Sequence, residues 1–127
     1  MQIIIPTNPV TKKNHGKIVM KKYPNGKSFP IMLPSEAYRK YEAFAKDYMP
    51  NNIETIDYPI NLEVHYYMGT KRLCDITNLL QATCDILVKF KILSDDNYSI
   101  IASTDGTRVH YDKENPRAEI FITKKDV

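Results

Sequence analysis

The chain has 127 residues, 43% of them hydrophobic and 26% charged, with a formal net charge of +3. That length fits one domain with a real core, and the balance is that of an ordinary globular protein. No apolar run approaches the roughly 20 residues of a membrane span. The opening MQIIIPTNPV lacks the basic lead of a secretory signal. Two cysteines are too few for a disulfide framework. The expectation is a cytoplasmic protein with free thiols at Cys74 and Cys84 and no membrane partner.

Charge is unevenly spread. Residues 1–35 carry Lys12, Lys13, Lys17, Lys21, Lys22 and Lys27 and no acid. Such a segment makes a positive patch wherever it folds, and a positive patch attracts a phosphate backbone without regard to base sequence. A solvated lysine hairpin explains the same charge equally well. His15, His65 and His110 are scattered and form no metal-binding pattern.

In chain order, residues 3–5 read as a short buried strand stopped by Pro6 and Pro9. A loop with lysines and Asn14 follows. Residues 17–22 and 27–32 flank Tyr23-Pro24-Asn25-Gly26, whose Asn-Gly pair predicts a basic β-hairpin. Ser35 is placed to cap a helix carrying Tyr38, Tyr41, Phe44, Ala45 and Tyr48 at helical spacing, a stripe that suits a core. Pro50 ends it, and residues 51–59 read as a loop. Residues 60–68, INLEVHYYM, alternate and are rich in strand formers.

A second helix is predicted over 77–90. Its spacing puts Leu79, Leu80, Thr83, Ile86, Leu87 and Phe90 on one side. Asn78, Gln81, Ala82, Asp85 and Lys89 fall on the other. Residues 97–103 and 107–112 read as strand, broken at Asp105-Gly106. Residues 117–124 form a final alternating strand. The expected fold class is α+β: a single domain over 1–127, with a mixed sheet, a basic N-terminal hairpin and two packed helices.

Four aspartates cluster around the second helix: Asp75 before it, Asp85 on it, and Asp95 and Asp96 after it. Converging carboxylates repel unless a cation lies between them, and hard oxygen donors favour magnesium, manganese or calcium. Such a site suits phosphoryl transfer, and Lys71, Arg72 and Lys89 are near enough to clamp phosphates. A helix of about 14 residues is roughly 20 Å long. The acids can therefore meet only if the flanking chain folds back along it. The plain alternative is a helix cap at Asp75 and a turn at Asp95-Asp96-Asn97.

The run Asp75-Ile76-Thr77-Asn78-Leu79, with Asp85 and then Asp95-Asp96, resembles the RusA family of Holliday junction resolvases, small phage-associated endonucleases. That family's pattern is Asp-x-Asp-Asn-Leu opening a helix, an Asp seven residues after the Asn, and an Asp-Asp pair beyond. Residues 9–14, PVTKKN, are similar to its basic, Asn-containing loop. The resemblance implies a homodimer that cuts four-way DNA junctions by paired nicks with Mg2+ (Mn2+ as a substitute). By position it implies metal-binding acids at Asp75 and Asp96, with Asp95 beside them. It places the helix acid at Asp85 and a supporting Asn78. The basic loop and hairpin, with Lys12, Lys13, Asn14, Lys17, Lys21 and Lys22 foremost, would grip DNA.

Two positions depart from the pattern. Thr77 stands where the family has a second aspartate, and Gln81 where it has a lysine. A hydroxyl is a weaker magnesium ligand, and Gln81 supplies no cation. The competing expectation is therefore a branched-DNA-binding module with a weakened site.

Overall fold

A computed structural model describes residues 1–12, 17–33 and 35–126. The elements are β1 (Gln2–Ile5), β2 (Lys17–Lys22), β3 (Ser28–Leu33), α1 (Glu36–Lys46) and β4 (Ile60–Met68). They continue with α2 (Ile76–Lys89), β5 (Ile101–Ser103), β6 (Arg108–Tyr111) and β7 (Arg117–Lys124). The main sheet runs β1-β7-β4, with β5 and β6 both on the far side of β4. β7 is antiparallel to β1 and β4, whereas β5 and β6 are parallel to β4. A parallel return needs a long crossover, and α2 supplies it. The mixed α+β architecture expected from the sequence is the one found.

β4 explains the layering. Ile60, Leu62, Val64 and Tyr66 are fully buried, while the residues between them are half-covered. β7 repeats the alternation with Ala118, Ile120 and Ile122 inward. These side chains join Tyr38, Tyr41 and Ala45 of α1 and Leu79, Ala82, Ile86 and Leu87 of α2 in one core. Both helices therefore pack on the same face. The other face carries a polar network: His65 contacts His110 and Glu63, and Arg117 bridges Asp112 and Glu119.

One buried contact sets where α2 sits. The Tyr66 hydroxyl of β4 meets the Thr83 hydroxyl at 2.6 Å, and Thr83 in turn donates to the Leu79 carbonyl at 3.1 Å. Both groups are buried, so breaking the pair leaves a desolvated hydroxyl, a cost of about 1–3 kcal/mol. This pins the rotation of α2, and with it the direction of its polar side.

The hairpin forms as expected. β2 and β3 pair from Lys17↔Leu33 to Lys22↔Ser28 as a two-stranded sheet of their own. Gly26 turns the chain at φ +86°, a conformation costly for any residue with a Cβ.

Three expectations need correction. The strand expected over 97–103 shrinks to Ile101–Ser103. Residues 97–100 form a turn instead, because the Asn97 side chain captures the Ser99 backbone N–H and the Asn97 carbonyl accepts from Ile100 and Ile101. The aromatic stripe of α1 divides: Tyr38 and Tyr41 are buried, but Phe44 and Tyr48 are exposed and pack against each other with tilted rings, centroids 5.1 Å apart. Ala82, expected on the open side of α2, is buried. A core-facing stripe is over 100° wide, and a methyl at its margin fits flush against the sheet.

Candidate active site at the second helix

Asp75 is the N-cap residue of α2 by position, yet its side chain makes no cap hydrogen bond. Its carboxylate accepts only from the Asn78 amide, at 3.3 Å, among the described residues. The capping explanation for Asp75 therefore fails, and its charge stands exposed with no cation partner among those residues. Thr77 and Gln81 are exposed on the same helix.

Beyond α2 the chain does fold back. Lys91 takes a left-handed φ of 62°, and Ile92 and Leu93 both donate to the Leu87 carbonyl. Leu93 bridges to Ile56, which locks the returning segment against the 51–59 loop. The return carries Asp96 back to an open hollow of about 560 Å³, lined also by Asp85, Val88 and Lys89 of α2 and Lys12, Tyr38, Arg39 and Glu42.

That hollow is a mosaic of charges. Lys12 Nζ bonds Asp85 Oδ2 at 3.0 Å, and Lys89 bonds Glu42. Lys12 and Lys89, expected as phosphate ligands, are thus engaged with acids, because the fold places each ammonium beside a half-covered carboxylate. Asp96 has no cation partner among the described residues. Cys84 records the field there: burial first, then the charges of Asp96 and Asp85, push its thiol up to about 12. The Tyr38 hydroxyl is buried and lies near Glu42 without completing a hydrogen bond. Burial, then the Glu42 and Asp85 charges, raises its pKa well above the ordinary phenol value.

Asp95 plays another part. Its carboxylate accepts from the Asp96 backbone N–H at 2.7 Å and from the Asn97 amide at 2.9 Å. Those bonds favour the ionised form and lower its pKa. The turn reading is right for Asp95: both its oxygens are taken locally, and it serves to present Asp96.

The four aspartates accordingly do not share one point. Asp96 returns to the level of Asp85, whereas Asp75 lies ten residues earlier on the helix, about 15 Å along its axis. Among the described residues no three His, Cys, Asp or Glu side chains are arranged to hold an ion. The oxygen donors still suit magnesium, which commonly takes one or two carboxylates and keeps several waters.

The basic surface is partly defined. Lys21 and Lys22 are exposed on β2, and Lys71 and Arg72 are exposed before α2, with Lys71 over the Tyr111 ring at 5.2 Å. Lys13, Asn14 and the Lys17 side chain lie outside the described residues. Glu42 and Arg39 were not anticipated from the sequence. Glu42 follows Tyr38 by one helical turn, but nothing in α1 itself says that this edge faces α2.

No helix among the described residues is long and apolar enough to cross a membrane. No curated protein matches the chain. The family model described as Endodeoxyribonuclease RusA matches residues 6–123, nearly the whole sequence and all of the elements around α2. The chain belongs to the RusA endodeoxyribonuclease family.

Proposed function

We propose that this protein is a magnesium-dependent endonuclease that resolves four-way DNA junctions by paired nicks. The observation that carries this reading is the division of the acids within a RusA domain. Asp85 and Glu42 are neutralised by lysines, while Asp75 and Asp96 are left bare among the described residues. Asp75 and Asp96 lie at separate levels of α2, and each would lend its carboxylate to a magnesium ion of its own, with water and DNA phosphate supplying the other ligands. When bound, the ion would neutralise charge on the phosphate under attack and ease deprotonation of water.

The chain's own residues do the rest. Asn78 holds the Asp75 carboxylate in place, and Asp95 stiffens the turn that presents Asp96. Lys71 and Arg72 flank Asp75 and would grip phosphates next to the cut, while Lys21 and Lys22 would hold the more distant backbone. Nicking two strands in concert requires two such sites, so a homodimer is part of the proposal.

The test is a synthetic four-way junction incubated with the protein and magnesium. Paired nicks in the junction, an intact linear duplex and no cleavage in EDTA are expected. Cleavage that persists in EDTA would remove the metal from the mechanism. A second reading rests on exposed Thr77 and Gln81: a junction binder whose site cuts poorly. It predicts salt-sensitive junction binding with no nicks in magnesium or manganese.

A further inference from the structure

A separate cleft of about 450 Å³ opens on the Asp75 side of the molecule. The N-terminal segment, the start of α1 and the loop from β4 to α2 enclose it, with Pro9, Val10, Ala37, Met68 and Leu73 among its lining. We propose that this cleft takes one unstacked nucleobase of the branched DNA, next to the strand held at Asp75. The inference rests on the nuclease reading above and deepens it.

The size falls in the ordinary range of ligand sites, roughly 300–1,000 Å³, and a mainly apolar lining with a few polar groups is the usual composition of such sites. The walls are braced. Asn8 Oδ1 accepts from the Gly69 N–H at 2.7 Å, and Ser35 Oγ accepts from the Tyr38 N–H at 3.1 Å. A Cβ at Gly69 would lie 2.8 Å from Pro116 Cγ, so the end of β4 is held close against the β6–β7 turn. The cleft is therefore formed before any ligand arrives.

Four features select a base. Cys74 lines the cleft and is the residue before Asp75, so the cleft ends one residue short of the bare carboxylate in the chain. Leu73 is 96% exposed at the rim, an apolar face that a flat ring would cover. Arg72, also at the rim, and neighbouring Lys71 supply cations for the phosphates on either side of that base. Thr11, Thr70 and Glu36 offer polar atoms to a base edge. A continuous duplex keeps its bases stacked and shows a protein mainly phosphates. Bases at a branch point leave the stack at lower cost. A base cleft at the Asp75 end of α2 would thus convert a general phosphate grip into preference for branched DNA.

The experiment uses the full chain in EDTA, with a four-way junction carrying 2-aminopurine at the branch and a linear duplex of equal length. Binding by the parent should raise the 2-aminopurine fluorescence. Ala37→Leu fills the cleft from an exposed helix position, and it should weaken junction binding about tenfold while leaving duplex binding unchanged. Leu73→Ala, which touches no core, should weaken junction binding several-fold. Unchanged junction affinity in both variants, or equal losses on junction and duplex, would overturn the cleft assignment. A parent that cuts junctions in a parallel magnesium assay, while both variants bind like it in EDTA, refutes the cleft alone. A parent that binds no DNA refutes the nuclease reading and the cleft with it.

Discussion

The start of α2 and the hollow beside its middle are both acidic, and they are handled in opposite ways. In the hollow, Asp85 and Glu42 each face a lysine, and only Asp96 is left over. At the helix start, Asp75 has an amide for company and no cation among the described residues. Ion pairs such as Lys12–Asp85 are partly exposed, and pairs of this kind contribute at most about 1 kcal/mol. The contrast therefore says little about stability. It says where added positive charge would be most welcome: at Asp75 and Asp96.

The sharpest way to break that contrast is to neutralise each acid in turn. Asp75→Asn and Asp96→Asn should each lower junction cleavage by about two to three orders of magnitude. Junction binding in EDTA and the melting temperature should stay put, since both carboxylates are exposed and the Asp75 side chain makes no cap hydrogen bond. If Asp85→Asn alone proved as damaging as either, the lysine-paired acid would be the metal ligand and the contrast would be reversed. Less drastic is the repair of the two departures. Thr77→Asp with Gln81→Lys adds an acid and a cation at the exposed helix start, and should raise the cleavage rate about tenfold. No gain in single-turnover assays would mean that those positions do not limit the site.

The two thiols report on the two regions directly. Cys74, next to Asp75, is exposed and its pKa is raised by partial burial and the Asp75 charge, whereas Cys84 is half-buried and its pKa is pushed up to about 12 by burial and then the Asp96 and Asp85 charges. At pH 8 iodoacetamide should label Cys74 alone, as read by peptide mass mapping. Labelling of Cys84 at a similar rate would mean that the returning segment opens readily. The smallest effect concerns the Asp95 turn. Its folded pKa is lowered, so the turn's contribution is complete above the ordinary aspartate value of about 3.9 and is lost as pH falls through the folded value. The Asp96 amide resonance should hold steady above pH 5 and move only below about pH 4. Movement near neutrality would show that Asp95 does not hold this turn.

Much of the frame was legible because it is written in local periodicity. INLEVHYYM alternates, and β4 alternates in burial. Asn25-Gly26 marks the hairpin turn, and the 3.6-residue spacing of Leu79, Thr83, Ile86 and Leu87 marks the buried side of α2. The misses came where a side chain competed with the backbone or where a stripe was wider than its centre. Asn97 ended a strand before it began, and Phe44 and Tyr48 fell off the core edge of α1.

The acids show the remaining division. The sequence by itself determined that four aspartates flank one helix, that residues 1–35 are purely basic, and that the run from Asp75 to Asp96 has a RusA pattern. Only the tertiary structure decided which acids keep their charge unpaired. Lys12 reaches Asp85 across 73 positions in the chain, and Lys89 reaches Glu42 across 47. Those partners depend on how α2 is rotated by the Tyr66–Thr83 contact and how far the chain folds back past Lys91. Spacing along a chain sets which residues share a helix face. Pairing between elements is set by packing in three dimensions, which local spacing does not encode.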